Sequence, residues 1–326
     1  MKTSSSTLDS RIAGGLLGLA VGDAAGVPFE GISRSNFKWN TVPRHKFKGF
    51  GTHKQPPGTW SDDTSMTMCL VHSIIDMNGK VVPEDVMNMF MDWYFYAQYT
   101  ATGNVFDCGL ICQHAIESWR YQVPIEMCAR KDERANGNGA LMRILPLAFL
   151  PETEDDLRKD VYSVAGLTHG HPVSQLCCTI YVMAAREMFL GEKDKEAALR
   201  AGFKKGYEDS CACHFPEIKA IEKNIHMKSP KAIKSDGYVV NTLTAAFWCF
   251  LHTNSYEKCV RTAINLGYDT DTTAAVAGGL AGIYYGFEKI PKYYLENLAK
   301  ATWIFKSGQL LQNVVSKHSQ LVSQKA

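Results

Sequence analysis

Apolar residues recur at helical intervals along nearly the whole chain. Ile12, Leu16, Leu17, Leu19 and Ala20 keep the 3.6-residue period, with Gly14, Gly15 and Gly18 among them, which predicts a buried helix that a neighbour approaches closely, ending within Gly22 to Glu30. Residues 31–58 mix aromatic, basic, Gly and Pro residues without a period and read as a loop, long enough to expect a functional one. Met66, Cys69, Leu70 and Ile74 mark a helix that stops at Asn78-Gly79; Pro83 opens another with Val86, Met89, Phe90, Trp93 and Tyr94 on its apolar face. A break at Thr102-Gly103-Asn104 precedes a helix to Trp119, an apolar run leads from Ala140 to Phe149, and Glu154-Asp155-Asp156 opens a further helix. Helices are then predicted at 172–190, 194–207, 216–227, 241–252, 255–266, 271–286 and 291–301. Period-2 alternation is nearly absent, and no repeat or linker divides the chain. The expectation is one compact all-α multi-helix bundle over residues 9–310, with 1–8 as a disordered tail and 311–326 as a C-terminal tail or helix end. Residues 202–240, lysine-rich and irregular, are expected to be a peripheral excursion.

Composition narrows the class. The 326 residues are 45% hydrophobic and 21% charged, as in an ordinary globular enzyme. A net charge of +2 excludes nucleic-acid or membrane binding driven by bulk charge. Residues 1–6 are polar and unlike a signal peptide, and the runs Ile12 to Val21 and Ala274 to Phe287 fall short of the roughly 20 residues that span a bilayer, so the cytoplasm is the expected location. The cysteines sit within apolar helical patterns, as at Cys69, Cys177, Cys178, Cys249 and Cys259, and read as reduced core residues. Cys211-Ala212-Cys213-His214 has soft-ligand character, but no second Cys/His pair at zinc-finger spacing accompanies it.

Two polar clusters exceed what folding requires. Asp269-Thr270-Asp271-Thr272-Thr273 precedes a glycine-studded apolar run, and Thr59-Trp60-Ser61-Asp62-Asp63-Thr64 precedes another helix. One residue suffices to cap a helix, so most of these oxygens are left over. Ser61, Asp62, Asp63, Asp269, Asp271 and Thr272 offer only oxygen, which suits Mg²⁺, Ca²⁺ or Mn²⁺; a cation there must overcome the positive end of each helix dipole. The two clusters are expected to meet around hard cations.

Other motifs are weaker alone. Asn136-Gly137-Asn138-Gly139-Ala140 before an apolar helix is either a phosphate cradle or an ordinary loop. Thr168-His169-Gly170-His171-Pro172 either contacts a ligand or ends a helix. The glycines near Gly22 follow a polar tail and not a strand, which rules out a dinucleotide fingerprint, and no nucleophile elbow is present.

In their order, Gly22-Asp23-Ala24-Ala25-Gly26-Val27-Pro28-Phe29-Glu30, Trp60-Ser61-Asp62-Asp63-Thr64, Gly103-Asn104-Val105-Phe106-Asp107-Cys108-Gly109, Gly137-Asn138-Gly139-Ala140-Leu141-Met142-Arg143, Thr168-His169 and Asp269-Thr270-Asp271-Thr272 resemble the ADP-ribosylglycohydrolase family from about Arg11 to Gly286. The resemblance implies a Mg²⁺- or Mn²⁺-dependent hydrolase with two cations at the bottom of an ADP-ribose cleft, held by Ser61, Asp62, Asp63, Asp269, Asp271 and Thr272. It implies cleavage of the N-glycosidic bond between ADP-ribose and an arginine of a modified protein, with Asp62, Asp107, Asp269 and Glu30 in catalysis and Glu30 on a flexible closing loop. Gly137, Asn138 and Gly139 would cradle the pyrophosphate, and His169 and Tyr268 would contact ADP-ribose. Asp107 resembles the residue that faces the scissile bond in arginine-directed members; an ADP-ribosyl-serine or O-acetyl-ADP-ribose hydrolase, or a non-catalytic ADP-ribose-binding or structural relative, stay open as alternatives. The chain departs from the family's usual residues at Ser61, where threonine is common, and at Tyr268, where glycine is. A monomer acting on ADP-ribosylated protein is expected.

Overall fold

The computed structural model describes residues 5–36, 42–208 and 213–323. Its axis is an antiparallel pair of helices, Ser5–Gly26 (α1) and Thr270–Tyr285 (α12), whose backbones touch. Gly14 faces Gly282, Gly18 faces Gly278, Gly22 faces Ala274 and Gly26 faces Thr270 and Asp271. A Cβ on Gly18 would lie 2.5 Å from the Gly278 carbonyl oxygen, and one on Gly14, Gly22 or Gly282 would overlap the facing carbonyl outright. The glycines are therefore the means of contact between the two helices, which are buried on every side from Arg11 to Gly26 and from Thr270 to Ile283. Tyr256 and Tyr181 close the pair from outside, their hydroxyls donating to the Gly18 carbonyl at 2.7 Å and the Val276 carbonyl at 3.0 Å.

The apolar stretch of α1 extends over Ser10–Phe29, longer than the run counted from sequence and long enough by length and composition to cross a membrane; here it is wholly buried as the core. Around the axis stand Asp62–Asp76 (α2), Pro172–Leu190 (α7), Val239–Leu251 (α10), Tyr256–Asn265 (α11) and Ala301–Ser323 (α14). Pro83–Tyr96 (α3), Leu110–Arg120 (α4) and the short Ile125–Cys128 (α5) continue outward from α2, Glu154–Gly166 (α6) and Lys195–Tyr207 (α8) pack on α7, and Pro216–Asn224 (α9) packs on α10. Helices are the only regular elements among the described residues, so the fold is all-α as expected.

The structure revises several sequence expectations. The run from Ala140 to Phe149 forms two 3₁₀ turns, Leu141–Arg143 and Leu145–Phe149, because Pro146 cannot donate inside a longer helix. Residues 291–301 divide into Lys292–Asn297 (α13) and α14, and of the two expectations for residues 311–326 the described part is the helix end, with α14 burying Leu311 and Val315. At the other end α1 starts at Ser5, inside the expected disordered tail; residues 1–4 lie outside the described residues. The excursion at 202–240 is not peripheral throughout: Ile233, Ser235 and Val239 are buried, and the Ser235 carbonyl accepts from the Asp269 amide at 3.0 Å. Cys211 and Ala212 lie outside the described residues, and Cys213 is exposed beside His214.

Candidate active site

The antiparallel pairing of α1 and α12 puts the end of one beside the start of the other, and both aspartate clusters assemble there. Ser61 caps α2, its Oγ accepting from the Asp63 amide at 3.4 Å, so Asp62 and Asp63 occupy the first turn. The cap is held from α1: the fully buried carboxylate of Asp23 accepts from the Ser61 amide at 3.0 Å, the Thr64 amide at 3.0 Å and the Thr64 hydroxyl at 2.6 Å. At α12 Asp269 stands in the cap position without capping, since its side chain makes no cap hydrogen bond. Its Oδ2 accepts from Asn138 Nδ2 at 2.7 Å instead. The clusters meet through the Thr272 hydroxyl, 3.3 Å from Asp63 Oδ2.

A third group closes the assembly. Glu30 follows α1, and His53, on a tight turn, bonds the Glu30 carboxylate through Nε2 and lies 3.8 Å from Asp107 Oδ2. The segment that follows Glu30 is tied to α12's start: the Gly31 amide donates to the Tyr268 carbonyl at 2.7 Å, and the Tyr268 amide donates to the Ile32 carbonyl at 2.8 Å. Arg34 adds bonds to the Leu266 carbonyl at 2.7 Å and the Pro230 and Ile233 carbonyls at 2.5 Å.

A cavity of about 430 Å³ opens over these groups. Glu30, Asp62, Asp107, Asp269 and Thr272 line it together with Gly137, Asn138, Gly139 and His169, so nine of the expected site residues share one wall system. Asp63 and Asp271 are buried within the joined clusters, and Ser61 is buried at the cap of α2. Tyr268 is the exception: it lines a separate surface cavity of about 690 Å³ with Arg34, Lys231 and Lys234. Its φ of 61° lies in the left-handed region, which accounts for an expectation of glycine there and costs a tyrosine roughly 1 kcal/mol. His171 caps α7 by accepting from the Val173 amide, so of the two histidines only His169 faces the cavity.

The glycine loop owes its shape to Arg143, Gly237 and Tyr238 rather than to a helix start, because only a 3₁₀ turn follows it. Its Asn138 amide is spent on the Gly237 carbonyl at 3.1 Å, while buried Arg143 donates to the Gly139 carbonyl at 2.6 Å and to Thr168 Oγ1 at 2.8 Å. Thr168 in turn meets His169 Nδ1 at 2.7 Å. Burial, and then the charge of Arg143, push His169 down to about 3, so it is a neutral imidazole. Arg134 and Arg130, the latter ion-paired with Asp132 at 2.9 Å, are unremarkable in the sequence and line the same cavity on a side that carries no cluster carboxylate.

Burial raises every aspartate of the joined clusters, and neighbouring carboxylates raise Asp62, Asp63 and Asp271 further. Asp23 and Asp107 are each pushed up to about 6, chiefly by burial. Among the described residues the only cation within ion-pair distance of these groups is His53. Asp63 Oδ1 and Asp269 Oδ1 are buried without a hydrogen-bond partner. Crowded carboxylates, orphaned oxygens and adjacent hydroxyls fit a hard divalent cation, whose charge would cancel the repulsion.

Raised folded-state acids bind protons that the unfolded chain has released, so stability is lost as pH rises from about 4 through the folded values near 6. His53 is raised by its bond to Glu30 and acts in the same direction. In chelator, the melting temperature should fall between pH 5 and 7.5 by on the order of 5 °C. Millimolar Mg²⁺ or Mn²⁺ should restore it; a pH-independent melt unaffected by either ion contradicts the reading of the cluster.

Fold and site together define an all-α protein with a deep cleft floored by carboxylates and flanked by arginines. The chain belongs to the ADP-ribosylglycohydrolase family, a family of hydrolases, whose sequence profile matches residues 4–321. It is 31% identical to the ADP-ribosylarginine hydrolase Tri1 of Pseudomonas putida (strain GB-1), over 92% of this chain and 77% of that protein. It is 29% identical to the ADP-ribosyl-[dinitrogen reductase] glycohydrolase of Rhodospirillum rubrum, over 90% of this chain and 91% of that protein. It is 24% identical to the ADP-ribosylhydrolase ARH3 of Gallus gallus, over 86% of this chain and 87% of that protein. Among solved structures it resembles an ADP-ribosylglycohydrolase-related protein complex, with 32% identity and a TM-score of 0.80 over 95% of this chain and 99% of that one.

Proposed function

We propose that this protein removes mono-ADP-ribose from arginine side chains of modified proteins by hydrolysing the N-glycosidic bond. The observation that carries the reading is the shared cavity, in which Asp107 and Glu30 face a wall formed by both aspartate clusters and the glycine loop. In this reading Ser61, Asp62, Asp63, Asp269, Asp271 and Thr272 would hold two Mg²⁺ or Mn²⁺ ions, which when bound would supply Lewis acidity toward a water and the hydroxyls of the distal ribose. Asp107, a carboxyl raised by burial and by Glu30, accepts N–H bonds from the guanidinium and returns a proton to the departing nitrogen. Glu30 takes a proton from the attacking water, and Asp62 and Asp269 stabilise positive charge developing on the ribose ring. Gly137 to Gly139 let the pyrophosphate approach the backbone, Arg130 and Arg134 balance its charge, and neutral His169 contacts the ligand without repelling a cation.

The reading is tested by parallel assays on arginine- and serine-linked ADP-ribosyl proteins with Mg²⁺ or Mn²⁺. Release from arginine should exceed release from serine by about 100-fold, the scale of removing one well-placed catalytic carboxylate contact. Equal rates, or faster release from serine, reject the arginine assignment; release from neither rejects the activity.

A further inference from the structure

His53 lies in the segment least readable from sequence and makes the most unusual contact in the site. We propose that His53 is a nitrogen donor to the cation held by Asp271, at a position that Glu30 and Asp107 border, and that this donor favours Mn²⁺ over Mg²⁺. The inference rests on the cation reading above and adds to the all-oxygen set a ligand that the two aspartate clusters do not contain.

Geometry supports it at three levels. The donor atoms of Glu30, His53, Asp107 and Asp271 all lie within 4.8 Å of one another. Opposite donors around a small divalent ion at about 2.1 Å stand about 4.2 Å apart, so the His53 nitrogen and the Asp271 oxygen need to contract by at most about half an ångström. The four come from separate parts of the chain, the end of α1, the 50–55 turn, the segment before α4 and the first turn of α12, so their convergence is tertiary and not a by-product of one loop.

The turn that carries His53 is fixed in place. The Phe50 amide donates to the Gln55 carbonyl at 2.6 Å, and the Thr52 hydroxyl donates to the Glu30 carbonyl at 2.6 Å. Gly51 packs so tightly on the Pro28 carbonyl that no Cβ fits. Phe50 and Lys54 hold φ of 68° and 57°, a strain of about 1–2 kcal/mol each that surrounding contacts must sustain. The imidazole rests against Phe106 at a centroid distance of 5.4 Å. An aromatic nitrogen so held, beside carboxylates, makes a mixed set; Mn²⁺, the first of the first-row transition ions that bind nitrogen as well as oxygen, accepts such a set more readily than Mg²⁺, which takes oxygen.

The test is nitrogen modulation in the electron spin echo of the Mn²⁺-loaded full-length protein, with Mn²⁺ and Mg²⁺ affinities measured by titration. Wild type should show coupling to a directly bound imidazole nitrogen, absent in His53→Gln. The variant should lose about 10- to 100-fold in Mn²⁺ affinity, as for other lost ligand-sphere groups, and less than about 3-fold for Mg²⁺. Mn²⁺ bound without nitrogen coupling, coupling that persists in His53→Gln, or equal losses for both ions overturns the proposal and leaves His53 as a positioning residue for Glu30. A wild type that binds no Mn²⁺ overturns the cation reading itself, an outcome distinct from these.

Discussion

Replacing Asp269 and Asp271 together with asparagine should lower kcat/KM on an arginine-linked ADP-ribosyl protein by at least about 1,000-fold, near 4 kcal/mol of transition-state stabilisation. The two carboxylates belong to a group of like charges that has, among the described residues, no cation within ion-pair distance but His53, and one oxygen of Asp269 has no hydrogen-bond partner. Neutral amides keep the volume and retain an acceptor for Asn138, but remove the charge that draws a cation. The same loss relieves repulsion in the cation-free protein. The double variant should therefore melt in chelator at or above the wild-type temperature, and Mg²⁺ with ADP-ribose should no longer raise it. Retention of a tenth of the activity, or an undiminished thermal shift with the ion, rules out the assignment of these residues. A stable but inactive variant also separates site chemistry from folding.

The second large effect is on stability. Gly282→Val should destabilise the fold by about 3 kcal/mol or more, read as a fall in the denaturant midpoint. The new side chain would occupy the position of the Gly14 carbonyl, and backbone cannot yield as a side chain tip can. Relief requires α1 and α12 to part, which moves Asp23 away from Ser61 and widens the junction at Thr272 and Asp63. Cation affinity should fall with stability. Gly308→Ala is the control: its added Cβ meets the Leu16 side chain at 3.4 Å, and a helix-interior alanine is about 1 kcal/mol better than glycine, so it should be neutral or stabilising. Similar losses at both positions contradict the account of the helix pair.

Much of this was legible in the chain. The helix at 172–190 is found with both bounds, because Pro172 opens it and Gly191 closes it at φ 119°. The surplus oxygens at 61–63 and 269–272 do lie together, since capping uses Ser61 alone. Asp23 is hard to single out in the sequence: its partners Ser61 and Thr64 are 38 and 41 residues away, and it looks like the polar end of a helix that in fact continues to Gly26. The available signal was an aspartate inside an otherwise apolar, glycine-rich run. His53 left no such trace, because an aperiodic loop carries no information about which side chain turns inward. Tyr268 misled in the opposite way: adjacency to Asp269 in sequence implied adjacency in the cleft, while a positive φ sends the chain elsewhere. The run to Phe149 shows that apolar content reports burial and not the kind of turn.

The glycine contacts between α1 and α12 act as a key that sets register. Four facing positions, from Gly14 with Gly282 to Gly26 with Asp271, interlock main chain with main chain, so one helix cannot slide past the other by a small step. The separation between Asp23 and Asp271 is thereby fixed by covalent geometry rather than by the rotamers of intervening side chains. Substitutions in the outer helices can accumulate without shifting the carboxylates, whereas inherited change along the seam alters architecture and chemistry in a single event.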